Sequence, residues 1–127
     1  MGYWDYKPWD NDEGADWFIE FMDKTQLCKF VESSLNADVK ENAATVRAAA
    51  SVLIMLGRNY VWDVETIDQH LTLAIQKLQE ILDVSDLGED ENIRKSIEYE
   101  IKVLKGRFPE AELSYSLDEL NWWVDWI

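Results

Sequence analysis

Residues 43–56 read A-A-T-V-R-A-A-A-S-V-L-I-M-L, with only Thr45, Arg47 and Ser51 interrupting the apolar run. A helix that is apolar all round belongs inside a protein, and this run falls short of the roughly 20 residues that a membrane span needs. Its five alanines let neighbouring helices approach closely. The stretch is therefore expected to be the central post of an all-α fold. It would be capped at Asn36 or Asp38, run from Val39 to Leu56 and stop at Gly57. Arg47 sits in its middle. An unpaired buried charge is expensive, so Arg47 must reach the surface or find a carboxylate, expected among the N-terminal acids.

The other periodicities supply the helices around this post. From Gly14, after a cap at Asp10 or Asn11, Ala15, Phe18, Ile19 and Met22 share one face, flanked by Trp17 and Phe21. Asp12, Glu13, Asp16, Glu20 and Asp23 fall on the opposite arc. Residues 26–35 continue as the same helix or a bent extension, with Leu27, Phe30, Val31 and Leu35 on one side and Cys28 packed nearby. Residues 59–62 read as a loop. Asp63 then caps a helix to about Asp83, with Val64, Ile67, Leu71, Ala74, Ile75, Leu78, Ile81 and Leu82 inward.

A polar turn over residues 85–90 contains Gly88. It precedes a helix over Glu91–Lys105 with Ile93, Ile97, Ile101 and Leu104 inward, ended by Gly106 and Pro109. Ser116 and Glu119 form a capping box, with Tyr115 and Leu120 as a hydrophobic staple, for a last helix over residues 117–127. With an ordered, extended aromatic arm over residues 1–9, the expectation is one domain, residues 1–127, built as a bundle of five to six helices.

A chain of 127 residues buries roughly two-thirds of its unfolded surface, and 47% apolar residues make it too apolar for disorder. The lone Cys28 excludes an internal disulfide. No basic segment leads into an apolar one at the N-terminus, so a soluble, cytoplasmic protein is expected. The net charge of −14 excludes more. Nucleic acid and anionic membranes would be repelled, whereas a basic protein would be attracted and its association accelerated. Eleven of the fourteen excess negative charges, and six of the seven tryptophans, lie within residues 1–23 and 109–127.

The opening stretch carries a pattern of its own in Gly2, Trp4, Pro8, Trp9, Asp10, Asn11, Asp12 and Ala15. It resembles the N-terminal signature G-x-W-G-x-G-P-F-D-N-D of the bacterial family called domain of unknown function 4259, with Asp5, Lys7 and Trp9 in place of two glycines and a phenylalanine. The Ala-rich segment over residues 41–53 resembles the second recognisable segment of that family, with weaker helical similarity to about Phe108. The resemblance implies a small helical bacterial protein and carries over no catalytic residue. Small acidic bacterial proteins of this kind often look like immunity proteins, which neutralise a toxin domain.

Reactive chemistry is sparse. Asp10, Asn11, Asp12 and Gly14 have the wrong spacing for a calcium loop, with Phe21 where a bidentate acid should stand. His70, the only histidine, has no companion for a transition-metal site and reads as a solvated or partly packed helix residue. No phosphate-cradling loop or nucleophile motif is present. The expectation is a non-enzymatic protein without cofactor or metal, a monomer or weak homodimer, that binds a basic partner such as a cognate toxin domain. A helical scaffold or regulatory subunit is the alternative, and an enzyme the third. The expected partner-binding residues are Asp5, Asp12, Asp16, Glu20, Glu112, Asp118, Glu119 and Asp125. Trp122 and Trp126 would serve as anchors, or instead pack on the N-terminal arm.

Overall fold

Helix caps fix the elements. The structure, a computed structural model, describes residues 7–108. These form five α-helices, α1 (Asp12–Thr25), α2 (Leu27–Leu35), α3 (Val39–Leu56), α4 (Ile67–Val84) and α5 (Glu91–Lys105), with a 3-10 turn over Asp86–Glu89 before α5. The described chain is an all-α bundle. Asp38 Oδ2 accepts the Glu41 N–H at 3.1 Å to open α3, and Gly57 closes it by donating its N–H to the Leu53 carbonyl. A Cβ on Gly57 would overlap that same carbonyl oxygen, so the stop requires glycine. Asp90 Oδ1 caps α5 by accepting from Asn92 N at 2.9 Å and Ile93 N at 3.0 Å.

The core is continuous from α2 to α5. Leu35, Val46, Ala50, Leu53, Ile54, Leu71, Leu78, Ile81, Ile97 and Leu104 are all fully buried in it. Helix α3 packs most extensively on α4 and then on α2, while α4 also carries α5. The centre is thus an α3–α4 pair. Helix α3 is not encased as expected, because Ala44, Thr45 and Ala48 face solvent. Alanine exposes little apolar area, so leaving it in water costs little, and its helix propensity is retained.

Arg47 also departs from expectation. Its partner is Glu100 of α5, not an N-terminal acid: Nε reaches both carboxylate oxygens at 3.1 and 3.2 Å and Nη2 reaches Oε2 at 2.6 Å. Ser96 Oγ donates to the same oxygen at 2.8 Å. The reason is placement, since α5 packs directly on α3 at this point.

The first two helices are separate. Gln26 adopts φ 54°, in the left-handed region, and donates its N–H to the Met22 carbonyl, which bends the chain. The inward line of α2 is Cys28, Val31 and Leu35. Phe30 lies about 100° from Val31 around the helix and is exposed, contrary to the expected face. Ile19 is exposed as well, because the buried line of α1 is Ala15 and Met22.

Helix α4 begins at Ile67 and not at Asp63. Asp63 instead organises a turn, accepting from Glu65 N at 3.2 Å and Thr66 Oγ1 at 3.0 Å, while its carbonyl takes the Ile67 N–H. Val64 is therefore exposed and outside the core. Among the described residues no helix is long and apolar enough to cross a membrane. Most of the expected N-terminal arm, and the expected last helix with its capping box, lie outside the described residues.

Candidate protein-interaction surface

The Pro-Trp-Asp-Asn-Asp stretch builds the start of α1. The Asp10 N–H donates to the Lys7 carbonyl at 3.0 Å, closing a turn over residues 7–10 where an extended arm was expected. Asn11 holds that turn to the helix with both ends of its amide. Nδ2 donates to the Pro8 carbonyl at 2.9 Å, and Oδ1 accepts the Gly14 N–H at 2.7 Å. A Cβ on Gly14 would overlap the Pro8 carbonyl oxygen, so the turn can fold back only over glycine. Trp9 is wedged between Phe18, edge-on at 6.5 Å, and the Arg58 guanidinium, 5.0 Å above its ring. These contacts fasten α1 to the α3–α4 connection.

Helix α1 thereby presents Asp12, Glu13, Asp16, Glu20 and Asp23 to solvent. Lys24 pairs with Glu20 at 2.6 Å, both largely exposed, an arrangement that contributes little stability. Beside this stripe, between α1–α2 and the connection over residues 57–66, lies a groove of about 720 Å³. Met22, Cys28, Val61 and Trp62 form its buried floor, and Ile19 and Val64 stand on its lips, 67% and 76% exposed.

A relay running inward from Glu32, which is part-exposed, positions the floor. Trp62 Nε1 donates to His70 Nδ1 at 3.1 Å, and His70 Nε2 lies 2.9 Å from Glu32 Oε2. An indole N–H can only donate, so Nδ1 is the unprotonated nitrogen and Nε2–H donates to Glu32. His70 is therefore a neutral, 1% exposed link between α2, the connection and α4, where a solvated or partly packed residue was expected.

Two of the described groups, Cys28 and Arg47, have a shifted pKa. Burial pushes the Cys28 thiol up, with the Asp63 carboxylate adding to the rise and a backbone hydrogen bond opposing it. The thiol, 3.7 Å from Met22 Sδ, is thus an apolar floor group and not a thiolate nucleophile. The Glu100 carboxylate raises Arg47 against the opposing effect of burial. Among the described residues no three His, Cys, Asp or Glu side chains come together as a metal-ligand set.

Of the expected partner-binding residues, the structure brings Asp12, Asp16 and Glu20 together on α1, all exposed. Asp5, Glu112, Asp118, Glu119, Trp122, Asp125 and Trp126 lie outside the described residues. The groove and the Trp62–His70–Glu32 relay were missed by sequence reasoning. The eight-residue spacing of Trp62 and His70 was the available signal, but a helix begun at Asp63 put both out of reach of each other.

The family model described as "Domain of unknown function (DUF4259)" matches residues 2–116. The chain belongs to this family. The DUF4259 match takes in every described helix, together with Asp5 and Glu112, and ends before Asp118, Glu119, Trp122, Asp125 and Trp126. No curated protein and no solved structure matches the chain.

Proposed function

We propose that this chain is a non-enzymatic, cytoplasmic binding protein that neutralises a basic partner, a cognate bacterial toxin domain such as a nuclease, by covering its active cleft. The observation that carries the reading is the solvent-facing carboxylate stripe of α1, set in a chain of net charge −14. Such a field accelerates encounter with a basic surface and fixes its orientation. The acids and tryptophans of residues 109–127 would extend the same surface. Buried Cys28, His70 and Glu100 each serve packing or hydrogen bonding, in keeping with a binding role.

Co-expression with the product of the neighbouring gene tests this. The protein should rescue growth, and the purified pair should associate more slowly as salt rises. Reversing Asp12→Lys, Asp16→Lys and Glu20→Lys together should slow association by about ten-fold or more at low salt. Growth that is no better with the protein than without it would overturn the reading, as would association indifferent to both salt and charge reversal.

A further inference from the structure

The groove beside α1 has an unusual combination of floor and rim. Its floor is apolar and rigidly held: Trp62 is 3% exposed and tied to His70, and Met22 is 6% exposed against Cys28. Its lips leave Ile19 and Val64 largely in water, one on each wall, although both are apolar side chains of a size normally buried. Its rim is acidic, with Asp23 on one wall and Asp63 and Glu65 on the other, opposed by Lys29 alone among the lining residues. Asp12 and Asp16 extend the acidic wall, since at about 100° per residue both fall beside Ile19 and Asp23 on α1.

We infer that this groove seats an apolar side chain from a lysine- or arginine-rich segment of another protein, with the flanking cations of that segment on the rim. The inference rests on the reading of α1 as the face for a basic partner and assigns that partner its point of entry. Charge decides the occupant. A second copy of this chain would set acidic rim against acidic rim. Residues 109–127 carry five carboxylates and no base, so the chain's own C-terminal segment has the same sign as the rim. An anionic membrane is repelled for the same reason. A basic segment alone satisfies floor and rim together, and desolvating the pair Ile19 and Val64 would supply the anchor energy.

The probe is a synthetic amphipathic Lys/Leu peptide of about fourteen residues, roughly four helical turns, titrated into the full chain at low salt and followed by methyl and indole NMR. A Ser/Leu peptide of the same pattern serves as the uncharged control. The inference expects shifts concentrated at the Met22 and Val61 methyls and the Trp62 indole N–H. It expects binding about ten-fold weaker in Val64→Asp, and comparably weaker in Asp23→Lys combined with Glu65→Lys. Val64 is exposed, so the first variant should keep its fold, as a thermal melt would verify. Peptide shifts confined to the outer face of α1 and unchanged affinity in Val64→Asp would overturn the groove while leaving the acidic-face reading intact. No binding of the Lys/Leu peptide would overturn both. Equal binding of the Ser/Leu peptide would remove the role of the rim. Dimerisation through these methyls, or their contact with residues 109–127 in the peptide-free protein, would assign the groove a different occupant and overturn the inference.

Discussion

Arg47 and Glu100 show how unequal the two halves of one ion pair are. Glu100 is 2% exposed at its side chain while Arg47 retains 29%. Removing the arginine therefore strands a carboxylate with no water, whereas removing the glutamate leaves a cation that can turn outward. Arg47→Ala should lower stability by about 3–5 kcal/mol and Glu100→Ala by distinctly less, read from urea midpoints at constant slope. The pair Arg47→Met with Glu100→Leu should recover most of the loss. The His70 tautomer is open to direct observation: its ¹⁵N spectrum should show a bare Nδ1 and a protonated Nε2, and the reverse pattern would refute the relay. For Cys28 the sign is set by a raised folded-state pKa. The thiol's contribution should be fully present below the ordinary range near 9 and fade as pH climbs through the raised folded value. The stability advantage of the native chain over Cys28→Ala should thus shrink only in alkaline solution. Alkylation of Cys28 at neutral pH should be slow.

At the scale of elements, caps were legible and faces only partly so. The bounds of α3 follow from Asp38 and Gly57, residues whose backbone roles are local and so visible in one dimension, and α5 starts at Glu91 as expected, where the structure adds Asp90 as its cap. Asn11 belongs to the same class. It satisfies two backbone groups at once, so Asn11→Ala should cost about 1–2 kcal/mol, more than a simple cap, and should loosen Trp9 from Phe18 as seen in near-ultraviolet circular dichroism. The inward lines of α4 and α5 were legible, whereas several features set by distant packing were not. A helix face drawn around α1 included Ile19, yet only contact with α2 and the connection decides which edge of that face is covered. Asp63 looked like a cap and is one, but of a turn that delays α4 by a full helical turn, which moved Val64 from core to lip. The partner of Arg47 was assigned to the wrong helix because a list of carboxylates carries no information about which helix crosses α3.

For the whole molecule, a net charge of −14 sets two opposing electrostatic effects against each other. Exposed pairs such as Lys24–Glu20 weaken with salt, but each is worth well under about 1 kcal/mol. Mutual repulsion among the excess carboxylates acts over longer distances and is the larger effect. Raising salt from about 0.01 to about 0.15 M shortens the screening length from roughly 30 to 8 Å. The urea midpoint should therefore rise, and a fall would mean that the ion pairs dominate. The Arg47–Glu100 clasp has a further consequence at this scale. Ala43, Ala49 and Ala50 keep part of the buried side of α3 shallow, with Val46, Leu53 and Ile54 as its larger buried members, so a displacement of α5 by one turn, about 5.4 Å, is resisted both by those side chains and by the clasp. A slide of that length would part guanidinium from carboxylate. The double apolar replacement should accordingly keep most of the native stability yet give broader, more heterogeneous methyl resonances, because α3 and α5 would have lost the polar contact that sets their register.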